Sequence, residues 1–400
     1  MFGNRYRQIF LTVAFLALIY SAGLIEVAVE LLEGQTPQVT GLFVQVPTRA
    51  RLRAFERELE DKCWLAQRLR PYVQSLHFIA LRELGDKAIV GRDGWLFYKP
   101  AVQYLVEPWS PDPAGDQGDI LSAVVSFRDQ LAERGIKLLV VPVPNKAGIY
   151  PDKLTARADL DDHRVNAKTL EIISRLRQAG VEVVDLFALF RQARAAAPLG
   201  EATRYYLAQD SHWSPDGVQL AAKAVAKSII DPGWVEKGHT EYTLKSATIQ
   251  RHGDILKMIQ VPQIEGQFEP EQIHCTRVIN SATNQPYQDD PNSEILVLGD
   301  SFLRIYSQDE PGAAGFVEHL AYELGFALAS IVNDGGASTL VRQQLSRNPK
   351  LLANKKVVVW QFVERDIRFG AEGWQIVPLP LWVARFLQFP VNHLLLPCPA

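Results

Sequence analysis

Cysteine is scarce in this chain, and what there is does not cluster. Cys63, Cys275 and Cys398 lie far apart with no C-x-x-C spacing. That pattern excludes a cysteine-type structural zinc site and allows at most one disulfide, whose pairing the sequence leaves open. Charge of one sign is also lacking. The net charge is −3 and the pI near 6.3, which argues against a nucleic-acid partner. There is no internal repeat and no low-complexity segment. What remains is a chain of 400 residues, 47% of them hydrophobic, which is ample for a sizeable core.

One long apolar run is present. Arg5 and Arg7 precede Ile9 to Ile25, an uncharged stretch at the short end of what crosses a bilayer. Val27, Ala28, Val29, Leu31 and Leu32 prolong it, with Glu26 and Glu30 toward the far interface. Positive charge ahead of the span predicts a cytoplasmic N-terminus, with the rest of the chain exported. A cleavable signal peptide, cut near Ser21-Ala22-Gly23, is the competing reading and exports the same residues.

The pattern then divides the chain into residues 1–32 as anchor, 33–90 as a charged helical stalk interrupted at Pro71, 91–370 as a folded domain, and 371–400 as an apolar tail. In the domain, apolar strands are expected at 95–98, 136–143, 181–187, 294–298, 326–332 and 356–362. Helices are expected at 117–134, 160–179, 215–230, 311–324 and 338–346, and an irregular stretch at 231–293. Strands apolar throughout and alternating with helices indicate a parallel sheet covered on both faces, an α/β fold. The tail is too broken by Pro378, Pro380, Pro390 and Pro397 to span a bilayer. It reads as a strap on the core or as a membrane-surface contact.

The chemistry concentrates at strand ends. Glu294 to Tyr306 reads EILVLGDSFLRIY, an apolar strand stopping at Gly299-Asp300-Ser301. That turn places a serine at the carboxyl edge of the sheet, where open α/β folds meet ligands. A serine hydroxyl needs a base, and Asp210-Ser211-His212 supplies one. In an extended segment residues i and i+2 share a face, so Asp210 can hold one imidazole nitrogen of His212 while the other faces Ser301. The plainer alternative is a pair of turns with satisfied side chains. Trp213 fits either a wall of the site or the core. For an oxyanion, the Ser301 N–H, Asn333 and the Gly335-Gly336 backbone lie at strand ends on the same edge, as does Lys146, suited to an anionic substrate or simply to solvent. Lys146, Arg304, Arg342 and Arg365 hint at an acidic one.

These segments resemble the SGNH-hydrolase-like proteins of the alginate O-acetyltransferase group, the AlgJ/AlgX type. The matching stretches are GRDGWLF at 91, VPVPNKAGIYP at 141, DSHWSPDG at 210, RHGDILKM at 251, LGDSF at 298, NDGG at 333 and VVVWQFVERD at 357. As in that family, Asp-x-His precedes Gly-Asp-Ser, an order permuted relative to ordinary GDSL esterases. The resemblance implies a three-layer α/β/α domain with Ser301 as nucleophile, His212 as base and Asp210 as its orienting partner. It implies O-acetylation of an exported polysaccharide, alginate-like or other, through an acetyl-serine. The acetyl group would come from a polytopic membrane O-acyltransferase, so no cofactor and no coenzyme A site are expected here. It places the domain in the periplasm, anchored in the inner membrane as in AlgJ, without the carbohydrate-binding module of AlgX. A polysaccharide acetyl-esterase, or a non-catalytic subunit of an acetylation complex, is compatible with the same residues.

Overall fold

The structure, a computed structural model, describes residues 2–44, 48, 52, 55, 63–81, 83–108, 118–158, 163–196 and 204–380. The chain divides into two compact units, residues 1–90 with 256–269, and residues 91–255 with 270–400.

The first unit contains helix α1 (Phe2–Leu32) and helix α2 (Trp64–Leu81). Within α1, Ile9–Leu32 has a mean hydropathy of 2.1 and its apolar side chains are largely exposed, so it fits a membrane anchor by length and composition. The Trp64 N–H donates to Glu26 Oε2 at 2.8 Å, and Phe78 and Phe268 bring their rings to 6.3 Å. Pro71 does not break α2, contrary to the sequence pattern; the helix continues through it to Leu81.

The second unit is built on a five-stranded parallel sheet. Its strands are β1 (Lys137–Val143), β2 (Glu182–Val183), β5 (Ile295–Gly299), β6 (Ala329–Val332) and β7 (Val357–Val363), in the spatial order β2-β1-β7-β5-β6. β7 therefore returns to the centre, pairing Val357 with Lys137 on one side and with Ile295 on the other. β5 and β7 are buried at every residue, the signature of a sheet covered on both faces. Under one face, Val358, Trp360 and Phe362 pack with Phe127 of α3 (Ile120–Ala132), Leu176 of α4 (Ala167–Gln178) and Val341 of α9 (Leu340–Arg347). Helices α5 (Leu186–Ala196), α6 (Pro215–Ile230) and α8 (Phe316–Leu324) complete the layers, α6 packing on α8.

Three expectations are corrected. The stretch 181–187 is a strand only at Glu182–Val183, because Leu186 already opens α5. Helix α8 begins at Phe316 and not near Pro311; Gly315 is its N-cap, and the intervening Gly312 has φ of 74°. Residues 231–293 are not irregular: β3 (Tyr242–Arg251) and β4 (Glu271–Asn280) form an antiparallel ribbon. The tail is a strap as far as Pro380. The Leu379 N–H donates to Gln130 Oε1 at 2.6 Å, and Arg134 Nη2 donates to the Leu379 carbonyl at 2.8 Å. The membrane-surface reading of the tail falls on 381–400, outside the described residues. Cys63 and Cys275 are free thiols, and Cys398 also lies outside the described residues.

Candidate active site

Ser301 owes its position to the end of β5. Gly299 closes that strand in tight quarters: an added Cβ would lie 2.3 Å from Gln361 Oε1 on β7 and 2.6 Å from Leu303, and those side chains would have to move. Asp300 then turns the chain and caps the short helix α7 (Ser301–Arg304), its carboxylate accepting the Phe302 N–H at 2.9 Å. Ser301 becomes the first helical residue, whose N–H has no acceptor within the helix.

His212 arrives from a separate segment. Ser214 caps α6 through the Gly217 N–H at 3.1 Å, and Trp213 is wholly buried, so the chain just before α6 is fixed from two sides. Trp213 Nε1 donates to the Phe302 carbonyl at 3.1 Å, and Tyr306 donates its hydroxyl to the Trp213 carbonyl at 3.2 Å. Trp213 is thus a core residue that pins the histidine segment to the serine turn.

The result is a continuous chain of side chains. His212 Nδ1 lies 2.6 Å from Asp210 Oδ1, and His212 Nε2 lies 2.8 Å from Ser301 Oγ. With a carboxylate facing it, Nδ1 carries the proton, which leaves Nε2 to accept from the serine hydroxyl. Burial alone would lower the His212 pKa; the facing carboxylates of Asp210 and Asp254 outweigh it and raise the pKa above the ordinary value. Burial pushes Asp210 the other way, yet His212, Asp254 and Arg251 hold its carboxyl well below the usual range.

The end of β3 and the loop after it, within the RHGDILKM stretch at 251, make the second half of this cradle. Arg251 Nη2 lies 3.2 Å from Asp210 Oδ2, and the Asp254 N–H donates to the same oxygen at 3.0 Å. Asp254 accepts from the Ser211 N–H at 2.6 Å and from Ser211 Oγ at 2.5 Å, and its Oδ2 lies 3.4 Å from His212 Nδ1. Burial, with Asp210 beside it, pushes the Asp254 carboxyl up to about 6. The available signal was the RHGD spacing itself, an arginine and an aspartate about a glycine. Donor atoms of Asp210, His212 and Asp254 lie within 4.8 Å of one another, as a metal site would require. They are already engaged with each other, with Ser211 and with Arg251, and form a hydrogen-bonded orienting group.

The other sequence candidates separate. Lys146 is engaged by the backbone: its Nζ is buried and donates to the carbonyls of Leu207, Ala208 and Asp210 at 3.0, 3.1 and 2.7 Å, and the residue lines the same narrow cleft as Arg365. Arg342 is sealed in the core, 0% exposed, its guanidinium 4.8 Å over Trp360 and donating to the Ser338 carbonyl. Gly336 gives its N–H to the Asn333 carbonyl at 2.9 Å, so that amide serves the turn and is not free for an oxyanion. Asn333 does sit beside the serine turn, its N–H donating to the Gly299 carbonyl at 3.0 Å. Arg365 lies 5.8 Å over the Phe302 ring and lines a narrow cleft with Tyr98, Asn145, Ser211 and Phe302.

Taken together, a doubly covered parallel sheet with a hydrogen-bonded serine, histidine and aspartate at its carboxyl edge defines an SGNH-hydrolase-like α/β protein. Residues 88–364 match the family model of the SGNH hydrolase-like domain of the acetyltransferase AlgX, and the chain belongs to that family. Among its relatives, the "Probable alginate O-acetylase AlgJ" of Pseudomonas fluorescens is 25% identical over 76% of this chain and 77% of its own length. The "Alginate biosynthesis protein AlgX" of Pseudomonas aeruginosa is 26% identical over 59% of this chain and 48% of its own. The fold is shared with the O-acetyltransferase domain of Pseudomonas putida AlgJ, at a TM-score of 0.54 and 22% identity over 70% of this chain and 91% of that one. It is shared likewise with Pseudomonas aeruginosa AlgX, at 0.53 and 22% over 69% and 62%.

Proposed function

We propose that this protein transfers acetyl groups to hydroxyls of an exported polysaccharide, alginate by analogy with its relatives' names, through an acetyl-enzyme on Ser301. The observation that carries the reading is the unbroken hydrogen-bonded line from Asp210 through His212 to Ser301 Oγ within a domain of this family. In the first step His212 Nε2 takes the Ser301 proton as Oγ attacks the donor's acetyl carbon. The tetrahedral oxyanion collapses, the leaving group departs with that proton, and acetyl-Ser301 remains. A sugar hydroxyl then attacks, gives its proton to His212, and the acetyl carbon leaves Oγ, which regains a proton from the imidazolium. The Ser301 N–H, the Asn333 side chain and Arg365 are the groups proposed to receive the oxyanion and position the acceptor.

The donor proposed is a polytopic membrane O-acyltransferase, and α1 is proposed to hold the domain on the periplasmic side of the inner membrane. Water in place of the sugar would make the same site an esterase. Incubating the full chain with an acetyl-ester donor and a uronate oligosaccharide, then weighing the products, separates the two. Acetylated oligosaccharide and an acetylated Ser301 peptide are expected; acetate alone would overturn the transfer reading. Ser301→Ala is expected to lower turnover by at least about a thousandfold. Unchanged polymer acetylation in cells carrying it would assign the protein a non-catalytic role.

A further inference from the structure

His212 is faced by more than one acid. Asp210 stands on its own segment, Asp254 comes from the loop after β3, Asp300 from the turn after β5, and Arg365 from beyond β7. Of the three carboxylates, only Asp210 and Asp254 are within 4 Å of Nδ1, at 2.6 and 3.4 Å.

We propose that Asp254 is a second positioning carboxylate for His212, so that the base is oriented and its charged form stabilised by the Asp210–Asp254 pair, with Arg251 balancing the pair. The inference rests on the reading of His212 as general base. It goes beyond the three-residue arrangement, in which one acid faces the imidazole.

The loop is shaped for this placement. A Cβ at Gly253 would lie 2.1 Å from the Gln209 carbonyl oxygen, so only glycine lets the loop approach the Asp210 segment this closely. That approach delivers the Asp254 N–H and the Arg251 guanidinium to Asp210 Oδ2, leaving Oδ1 for the imidazole. The Asp254 carboxylate is itself fixed by both the N–H and the hydroxyl of Ser211. A negative charge this near Nδ1 favours the imidazolium, the state His212 enters each time it takes a proton. The bland alternative makes Asp254 a loop clamp that matters only through Ser211.

Asp254→Asn separates them, because it preserves shape and an acceptor oxygen while removing charge. Without the charge the imidazolium is less favoured, so the His212 pKa falls. The acidic limb of the kcat/KM profile, where the base must be neutral, then moves to lower pH, by roughly one unit. For hydrolysis of 4-nitrophenyl acetate by the full chain in detergent, kcat should fall about tenfold with KM nearly constant. Ser211→Ala keeps the charge and removes one clamp, and its acidic limb should stay with the wild type. NMR titration of labelled histidine, with the His212 signal identified by its loss in His212→Asn, reads the same shift without turnover. A limb and a His212 pKa unmoved by Asp254→Asn would overturn the proposal. So would parallel losses of thermal stability in Asp254→Asn and Ser211→Ala with the limb unmoved in both. If the wild type failed to hydrolyse the ester, the general-base reading would fall; the NMR shift would still report whether Asp254 acts on His212.

Discussion

Lys146 illustrates what a residue's place in the sequence can and cannot disclose. Its position at the carboxyl edge is legible, since it stands three residues beyond the end of β1, and on that ground it reads as facing solvent or substrate. The three carbonyls that claim its ammonium belong to the curled backbone around Leu207, Ala208 and Asp210, and no side-chain pattern reports a backbone path. Lys146→Met, close in volume, takes the ammonium donor from the Leu207 and Asp210 carbonyls, while Ala208 keeps the Leu96 N–H at 2.8 Å. At about 1–3 kcal/mol for each buried unsatisfied group, a loss of several kcal/mol in urea unfolding is expected, and activity should fall with it because Asp210 sits on the freed loop. Burial lowers the Lys146 pKa from 10.5 to about 8. Between those values the unfolded chain binds a proton that the folded one lacks, so this group's contribution to stability rises with pH across that window. The stability gap between wild type and Lys146→Met should therefore widen from pH 7.5 to 10, by up to about 3 kcal/mol. Ser301, His212 and Asp210, by contrast, were legible as a set because acyl transfer demands those residue types and strand-end turns expose them. Gly253 was not, since its need comes from a contact with Gln209, 44 positions away in the chain.

At the scale of elements, apolar strands were readable and polar ones were not. The buried runs of β1, β5 and β7 stand out because both their faces are covered. The β3 ribbon strand YTLKSATIQR has most of its residues exposed, so it offers neither an apolar run nor a strict alternation. Helix α8 was placed too early because the Pro311 signal for a helix start lies among Gly312, Ala313 and Gly315, and the first and second of these have positive φ. Strand ends are also joined by a contact that propensity does not encode. Glu364, just past β7, accepts from the Asn145 N–H at 2.8 Å, Asn166 Nδ2 at 2.8 Å and Thr169 Oγ1 at 2.6 Å. It thereby ties β7 to the loop after β1 and to the start of α4. In Glu364→Gln the amide that replaces Oε2 would point an N–H at the Asn145 N–H. A loss of about 1–3 kcal/mol is expected in thermal or urea unfolding. A smaller drop in kcat/KM should accompany it, since Asn145 and Arg365 share a cleft with Ser211 and Phe302, the neighbours in sequence of His212 and Ser301.

For the whole molecule, α1 is the element that fits a membrane anchor by length and composition. Ile9–Leu32 is 24 residues long, enough to cross the hydrocarbon core, with acids only near its far end. An anchor and a signal peptide share that composition and differ in fate. If the helix is kept, the protein in membranes washed with alkaline carbonate should have the full 44.8 kDa mass; a product starting after Gly23 would establish cleavage instead. Phe15 lies in the apolar middle of the helix and is 63% exposed, so Phe15→Arg puts a charge where only lipid would meet it. An arginine at the centre of a span costs about 3 kcal/mol of insertion free energy. The variant should shift from the carbonate-resistant pellet toward the soluble fraction. Polymer acetylation in cells should decline with it, while hydrolysis of a soluble acetyl ester by the recovered protein stays near wild type, because Asp210, His212 and Ser301 all belong to the other unit. Equal loss of both activities would show that α1 supports the fold of the domain and does more than hold it at the membrane.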